Sequence, residues 1–237
     1  MSERSAHRLT DQSDAMFSRA RLEVDVAVLT VRQGRLGVLA ARTRTDDRGS
    51  WGLPLTPVAG EEDCDAAAER VLLLQAAAVS GRDTMFLEQL RTYSEAPSEP
   101  TERRVSVAYV ALVANLSLSP SATGISRVFD VDDLANTGVL AADHEAMLFD
   151  AIERVRSKLE YTTVATSLVT EPFTIPELRR VYESVWGVTL HPANFRRKVL
   201  ATPEFVRPEA ADDIRRGPDL YRRGSATLLH PAMLRPQ

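Results

Sequence analysis

The sequence predicts an α+β chain in two parts: a sheet-and-helix domain over residues 21–159 and a helical domain closed by a hairpin over residues 160–237. A polar, flexible arm at residues 1–20 precedes them. Three observations predict this division. The first half alternates β-branched runs with amphipathic helical stretches, the pattern of a layered sheet domain. The second half strings three helical signals together and ends in two short strands. Charge divides at the same place: residues 161–237 carry 11 Arg/Lys against 8 Asp/Glu, and residues 1–160 carry 18 against 25, for a total of −4. A basic half joined to an acidic half points to a polyanionic partner for the C-terminal part.

Val24 to Val31 is rich in β-branched residues and predicts the first strand. Gln33-Gly34 supplies a turn, and Leu36 to Ala40 returns as the second strand. A loop with Gly49, Gly52, Pro54 and Pro57 leads to DCDAAAERVLLLQAAAV, an apolar helix from Asp63 to Val79 stopped by Ser80-Gly81. Strands follow at Met85–Tyr93 and Arg104–Leu116, separated by the flexible loop SEAPSEPTE. From Asp143 to Leu159 the apolar residues Met147, Leu148, Ala151, Ile152, Val155 and Leu159 form one helical stripe. This helix bridges the two domains.

A short helix at Tyr161–Val169 opens the second half. Thr174 and Glu177 then stand at capping-box spacing, with Phe173 and Leu178 placed as the hydrophobic staple. That helix runs to Trp186, a core residue, and stops at Gly187. His191-Pro192 opens the next helix, with proline in its first turn. Strands at Phe205-Val206 and Leu220-Tyr221 complete the order of a winged helix-turn-helix.

Composition excludes several classes. Hydrophobic residues make up 44% and charged residues 26%, ordinary for a globular protein. No apolar run reaches the about 20 residues that span a bilayer, so no membrane partner is expected. The N-terminal segment lacks the apolar core of a secretory signal, and a cytoplasmic location is expected. The single cysteine, Cys64, cannot form an internal disulfide, and its neighbours Glu61, Glu62, Asp63 and Asp65 disfavour a thiolate nucleophile. His7, His144 and His230 are scattered and form no site.

The stretch WGLPLTPVAGEEDCDAAAERVLLLQAAAVSG resembles the metal-binding region of Nudix hydrolases, whose glutamates hold a divalent metal against a pyrophosphate. Magnesium needs hard oxygen donors, chiefly carboxylates, in near-octahedral array. Laid on Trp51 and Pro54, the pattern puts Thr56 on a glycine, Glu62 on the first glutamate and Arg70 on the arginine. The other three glutamate positions hold Val71, Leu74 and Gln75, and the closing glycine is Ala77. Valine and leucine cannot coordinate a metal. Neither a catalytic residue nor a resident metal or required cofactor is expected.

Two strands extend the likeness. MFLEQL at 85–90 and RVSVAYVALV at 104–113 resemble those of the Nudix-related transcriptional regulators, the NrtR family. FTIPELRRVYESVWGVTLHPANFRRKVLAT and the basic IRRGPDLYRR are similar to that family's DNA-binding segment and wing. The resemblance covers roughly residues 22–224. It implies a Nudix-like α/β/α sandwich with a mixed sheet, acting in effector binding and dimerisation, and a winged helix that binds operator DNA. It further implies repression of NAD synthesis or salvage genes and an effector such as ADP-ribose or NAD. An active pyrophosphatase with a DNA-binding tail, and a ligand-free dimerisation scaffold, stay open as alternatives.

Residue types agree on the C-terminal side. At about 100° per residue, Phe195, Val199 and Pro192 share the inward side of their helix, and Asn194 and Arg197 face outward. Asparagine pairs with adenine and arginine with guanine in the major groove. Arg196 and Lys198 flank them for phosphates, as does His191 at the helix start. Arg215, Arg216, Arg222 and Arg223 on the hairpin complete the candidate DNA surface. Double-stranded DNA with a pseudo-palindromic operator, bound by a homodimer, is the expected partner. Arg42, Trp51, Glu62, Arg70, Glu88 and Arg104 are the candidate effector residues, since arginine clamps phosphate and tryptophan stacks on adenine.

Overall fold

The computed structural model describes residues 19–42, 51–75, 85–94, 102–120, 122, 124–135, 140, 142–209 and 218–236. Residues 1–18 of the expected arm, 76–79 of the expected helix, most of the SEAPSEPTE loop, and Arg215 and Arg216 lie outside that set. Strand β1 (Arg19–Arg32) starts two residues inside the expected arm and runs beyond the β-branched stretch at both ends.

Apolar residues on both faces of β1 explain its central place. It pairs in parallel with β6 (Glu102–Leu112) from Arg19↔Glu102 to Leu29↔Leu112, and antiparallel with β2 (Arg35–Arg42). Edge strand β5 (Phe86–Ser94) lies antiparallel to β6. Two short strands, β3 (Trp51–Gly52) and β4 (Leu55–Pro57), pair with β2 and β1, and β7 (Ser126–Asp130) pairs with β2. The sheet is therefore mixed, in the order β3-β2-β1-β6-β5.

Alternation along the central strands feeds two cores. Val24, Val26, Val28, Val107, Tyr109 and Ala111 pack with Ala67, Ala68, Val71 and Leu72 of helix α1 (Cys64–Gln75). Ala27, Leu29, Ala108, Val110 and Leu112 face the opposite layer. There, beyond the short helix α2 (Val131–Ala135), lies α3 (Ala142–Tyr161), which buries the expected stripe of Met147, Leu148, Ala151, Ile152, Val155 and Leu159. Helices on both faces make the expected α/β/α sandwich.

The second core does not end with the sheet. It continues from Leu159 through Val164 and Leu168 into Phe173, Tyr182, Trp186 and Phe195. The expected short helix is a 3-10 helix, Thr163–Leu168. Helix α4 (Ile175–Trp186) carries the capping box in full, with the Glu177 N–H donating to Thr174 Oγ1 and Thr174 N–H to Glu177 Oε2. Phe173 and Leu178 are both buried. Gly187 closes α4 at φ 68°, a left-handed conformation that glycine adopts without Cβ strain, and its N–H donates to Glu183 O. Helix α5 (Pro192–Ala201) and the hairpin of β8 (Val206–Pro208) with β9 (Tyr221–Arg223) follow. Gly224 passes so close to Glu204 that a Cβ there would stand 1.9 Å from its carbonyl oxygen. No helix among the described residues is long and apolar enough to cross a membrane.

The two domains are joined by more than the chain. Trp186 Nε1 donates to Arg156 O at 3.0 Å, and Arg156 Nε donates to Val185 O at 2.8 Å. Across the same boundary Asn115 Nδ2 donates to Thr170 Oγ1.

Candidate nucleic-acid interface

Helix α5 is positioned by its apolar side. Phe195 and Val199 are buried, and the Phe195 ring meets Tyr182 edge-on at 5.2 Å. Pro192 does not join them. It sits at the first helical position, exposed, because burial on this helix is confined to the narrow arc of Phe195 and Val199. His191 is the N-cap residue, exposed, and its side chain makes no cap hydrogen bond. The first-turn amides thus lack a side-chain acceptor, which suits a phosphate oxygen.

Anchoring Phe195 and Val199 inward brings Asn194, Arg196, Arg197 and Lys198 to the surface, all exposed. Their charges are not equivalent. Arg196 Nη2 donates to Asp219 at 2.9 Å, and this bond raises the guanidinium pKa. Arg197 and Lys198 have no ion-pair partner among the described residues. An exposed ion pair is worth about 0–1 kcal/mol. It therefore weakens Arg196 as a phosphate ligand without silencing it, and leaves Arg197 and Lys198 as the uncompensated cations of the helix.

The wing is more committed to its own domain than its arginines suggest. Arg222 is gripped by Glu209 and lies 3.6 Å from Glu171. Arg223 turns inward, donating through Nε to Thr166 Oγ1 at 2.7 Å and through Nη2 to Ser167 Oγ at 2.6 Å. The structure thus makes Arg223 a brace between the hairpin and the 3-10 helix.

The six candidate effector residues make four sets of contacts. Arg42 lies over the Trp51 ring at 5.1 Å, and Trp51 meets Phe129 edge-on at 4.9 Å. Arg127 in turn lies 5.0 Å over Phe129, so two arginines and two aromatics form one surface row. Glu88 belongs elsewhere. It points to the α3 side, pairing with Arg154 at 2.8 Å and Lys158 at 2.6 Å. Arg104 is equally occupied, spanning Glu23 at 3.0 Å and Asp143 at 3.2 Å. Three carboxylates, those of Glu23, Asp25 and Asp143, already lie within 4 Å of its guanidinium.

Glu62 and Arg70 fasten the loop before α1. Arg70 donates Nε and Nη2 to the two Glu62 oxygens, Nη1 to Thr56 Oγ1 at 2.7 Å and Nη2 to Pro57 O at 3.0 Å. The Arg70 bonds, helped by the Ala59 N–H, hold the Glu62 carboxyl below the usual carboxylate range. A depressed folded-state pKa contributes stability that is present above the unfolded value and lost as pH falls through the folded one. Arg70→Ala is expected to move Glu62 back toward an ordinary carboxylate titration, with the Ala59 N–H bond remaining, and to weaken that acid-limb dependence. Carbon-detected NMR titration of Glu62 reads it; an unchanged midpoint would refute the link.

These residues do not fit a divalent metal. Val71 is buried in the α1 core, Leu74 is an exposed hydrocarbon, and Gln75 Oε1 accepts from Ser126 Oγ. Both Glu62 oxygens are engaged by Arg70. Among the described residues no group of three or more His, Cys, Asp or Glu could hold a metal ion.

Sequence reasoning missed a buried polar cluster. His144, set aside as scattered, is buried, and its Nδ1 accepts from the Leu53 N–H at 3.1 Å. Nε2 must then carry the proton, and it faces Asp25 Oδ1 at 3.2 Å. Ser106 donates to the other Asp25 oxygen. The cluster ties β1, β6 and α3 to the turn that presents Trp51. Only the acids Glu23 and Asp25, alternating with the valines of β1, hinted at it in the sequence.

Residues 165–222 match the family model of the NrtR DNA-binding winged helix domain. The ADPR responsive transcriptional repressor NtrR of Acinetobacter baylyi is 30% identical over 190 residues, covering 76% of this chain and 72% of that protein. Shewanella oneidensis NrtR complexed with a 27mer DNA superposes with a TM-score of 0.73 at 26% identity, over 85% of this chain and 93% of that one. The NUDIX domain of the same Shewanella protein complexed with ADP ribose gives 0.50 at 25% identity, over 65% and 99%.

Proposed function

The chain belongs to the NrtR family, and we propose on that premise that it is a sequence-specific transcriptional repressor whose α5 reads operator DNA. Its Nudix-like domain, in this reading, senses a nicotinamide-nucleotide metabolite without hydrolysing it. The observation that carries the proposal is the pair of exposed cations, Arg197 and Lys198, without an ion-pair partner among the described residues, beside exposed Asn194 on a helix anchored by Phe195. An amide and an arginine on the outer face suit base edges, and the flanking cations suit phosphates.

One winged helix buries little surface for strong specificity, so the chain acts as a homodimer on a pseudo-palindromic site. The half-sites then lie about one helical turn apart. The regulated genes are those of NAD synthesis or salvage, and the protein works in the cytoplasm with its operator. ADP-ribose, named for both the Acinetobacter relative and the Shewanella domain, is the first effector to test, with NAD second. The Arg42–Trp51 pair, extended by Phe129 and Arg127, supports a nucleotide at that end of the sheet. Effector binding shifts the chain between two placements of its DNA-reading heads.

Selection of bound genomic fragments by the purified protein tests the DNA reading. A symmetric motif before NAD genes is expected, and no enrichment at micromolar protein overturns it. Calorimetry with ADP-ribose and NAD tests the sensor; silence from both would leave the domain a scaffold. With magnesium or manganese, AMP release from ADP-ribose is expected at no more than the uncatalysed rate. Turnover at an ordinary enzymatic rate would defeat the inactive reading of Val71 and Leu74.

A further inference from the structure

Helix α5 is flanked by the C-terminal tail as well as by α4 and the wing. The C-terminal tail runs back along the domain, with Leu229 N–H donating to Tyr161 O at 2.8 Å and Met233 N–H to Glu160 O at 2.6 Å. Leu229 and Met233 are buried, so the path of the tail is fixed by packing as well as by hydrogen bonds. It then passes beside α5 and leaves a groove of about 260 Å³ between them. Trp186, Phe195 and Met233 are among the residues lining it, together with His191, Asn194 and Lys198 on the helix flank and Leu234 and Pro236 on the tail.

Four features of this groove bear on its occupant. No carboxylate lines it, whereas Arg197 and Lys198 do. Arg235 stands next to it, exposed, with one nitrogen donating to Trp186 O at 3.3 Å and no carboxylate partner among the described residues. The groove is also smaller than the about 300–1,000 Å³ of pockets that take drug-sized ligands, which favours a unit of a polymer over a free metabolite. Finally, it is continuous with the recognition helix.

A helix of about 10–12 Å in a major groove of about 12 Å has a phosphate ridge on each flank. The wing stands on the Arg196 side of α5, where Asp219 and β9 lie. The opposite side, carrying His191 and Lys198, faces the tail, and the outward Asn194 and Arg197 also line the groove. Resting on the operator-binding reading above, we propose that the C-terminal tail is a second DNA-backbone clamp. A deoxyribose unit sits against Leu234 and Pro236, and the adjoining phosphate is held by Lys198 and Arg235.

The test uses the full-length protein and a selected operator duplex, with Arg235→Gln, Arg235→Lys, a chain ending at Met233, and Arg197→Ala as reference. Binding is followed by anisotropy over a salt series and by hydroxyl-radical footprinting, and each variant is melted. Arg235→Gln and the shortened chain are expected to lower the slope of log K against log salt by about 1 per protomer. Affinity at about 0.1 M salt falls about five- to tenfold in both, protection is lost on one flank of each half-site, and Arg235→Lys keeps the wild-type slope. Wild-type slope and footprint in Arg235→Gln and the shortened chain overturn the clamp. So does a shortened chain that melts lower and binds more weakly at unchanged slope, since that is the signature of a brace. If Arg197→Ala is also silent, the operator-binding reading falls with it; if Arg197→Ala alone weakens binding, only the clamp falls.

Discussion

Arg197→Ala is expected to lower operator affinity about ten- to a hundredfold and to relax base preference in each half-site, in line with about 1–3 kcal/mol per good arginine–base contact. The expectation rests on a difference between neighbours. Arg197 is exposed at the centre of the outer face of α5 and has no ion-pair partner among the described residues. Arg196, one residue earlier, is held by Asp219 on the wing side. Arg196→Ala should therefore cost less and weaken operator and shuffled DNA alike, as loss of a phosphate contact does. Equilibrium binding to both duplexes separates the two. Wild-type affinity in Arg197→Ala, or a larger loss in Arg196→Ala, would place the base-reading surface elsewhere.

Phe195→Ala is expected to destabilise the fold by about 3–5 kcal/mol, the usual cost of truncating a buried phenylalanine. Its ring is almost fully buried and meets Tyr182, which in turn meets Trp186 at 4.9 Å. Trp186 is bonded to Arg156 of α3, so the cavity opens in a core that runs without a break into the sheet domain. Chemical denaturation should show the midpoint shift in one transition seen by probes in both halves. A loss below about 1 kcal/mol, or a separate early transition confined to the C-terminal half, would contradict that continuity.

The elements that sequence reasoning placed well are those whose causes are local. Thr174 with Glu177, Gly187, and the α3 stripe from Met147 to Leu159 act within one or two helical turns, and each is present as expected. The short strands β3, β4 and β7 and the parallel pairing of β1 with β6 were not legible, because a strand of two to five residues carries no period and pairing is a non-local choice. The candidate sites divide in the same way. The helical period put Arg197 outward, yet it also put Pro192 inward, where the structure leaves it exposed.

The sequence alone determined that the carboxylate set for a metal is missing at Val71, Leu74 and Gln75, and that α5 presents an amide and three cations to solvent. Only the tertiary structure decided which charges remain available. It committed Glu88 to Arg154, 66 residues away, Arg104 to Asp143, 39 away, and Arg223 to Thr166, 57 away, while Arg197 and Lys198 meet no ion-pair partner among the described residues. The reason is physical. Side-chain identity and helical period act over a few residues, but an ion pair depends on which distant segment the packed core brings within about 4 Å.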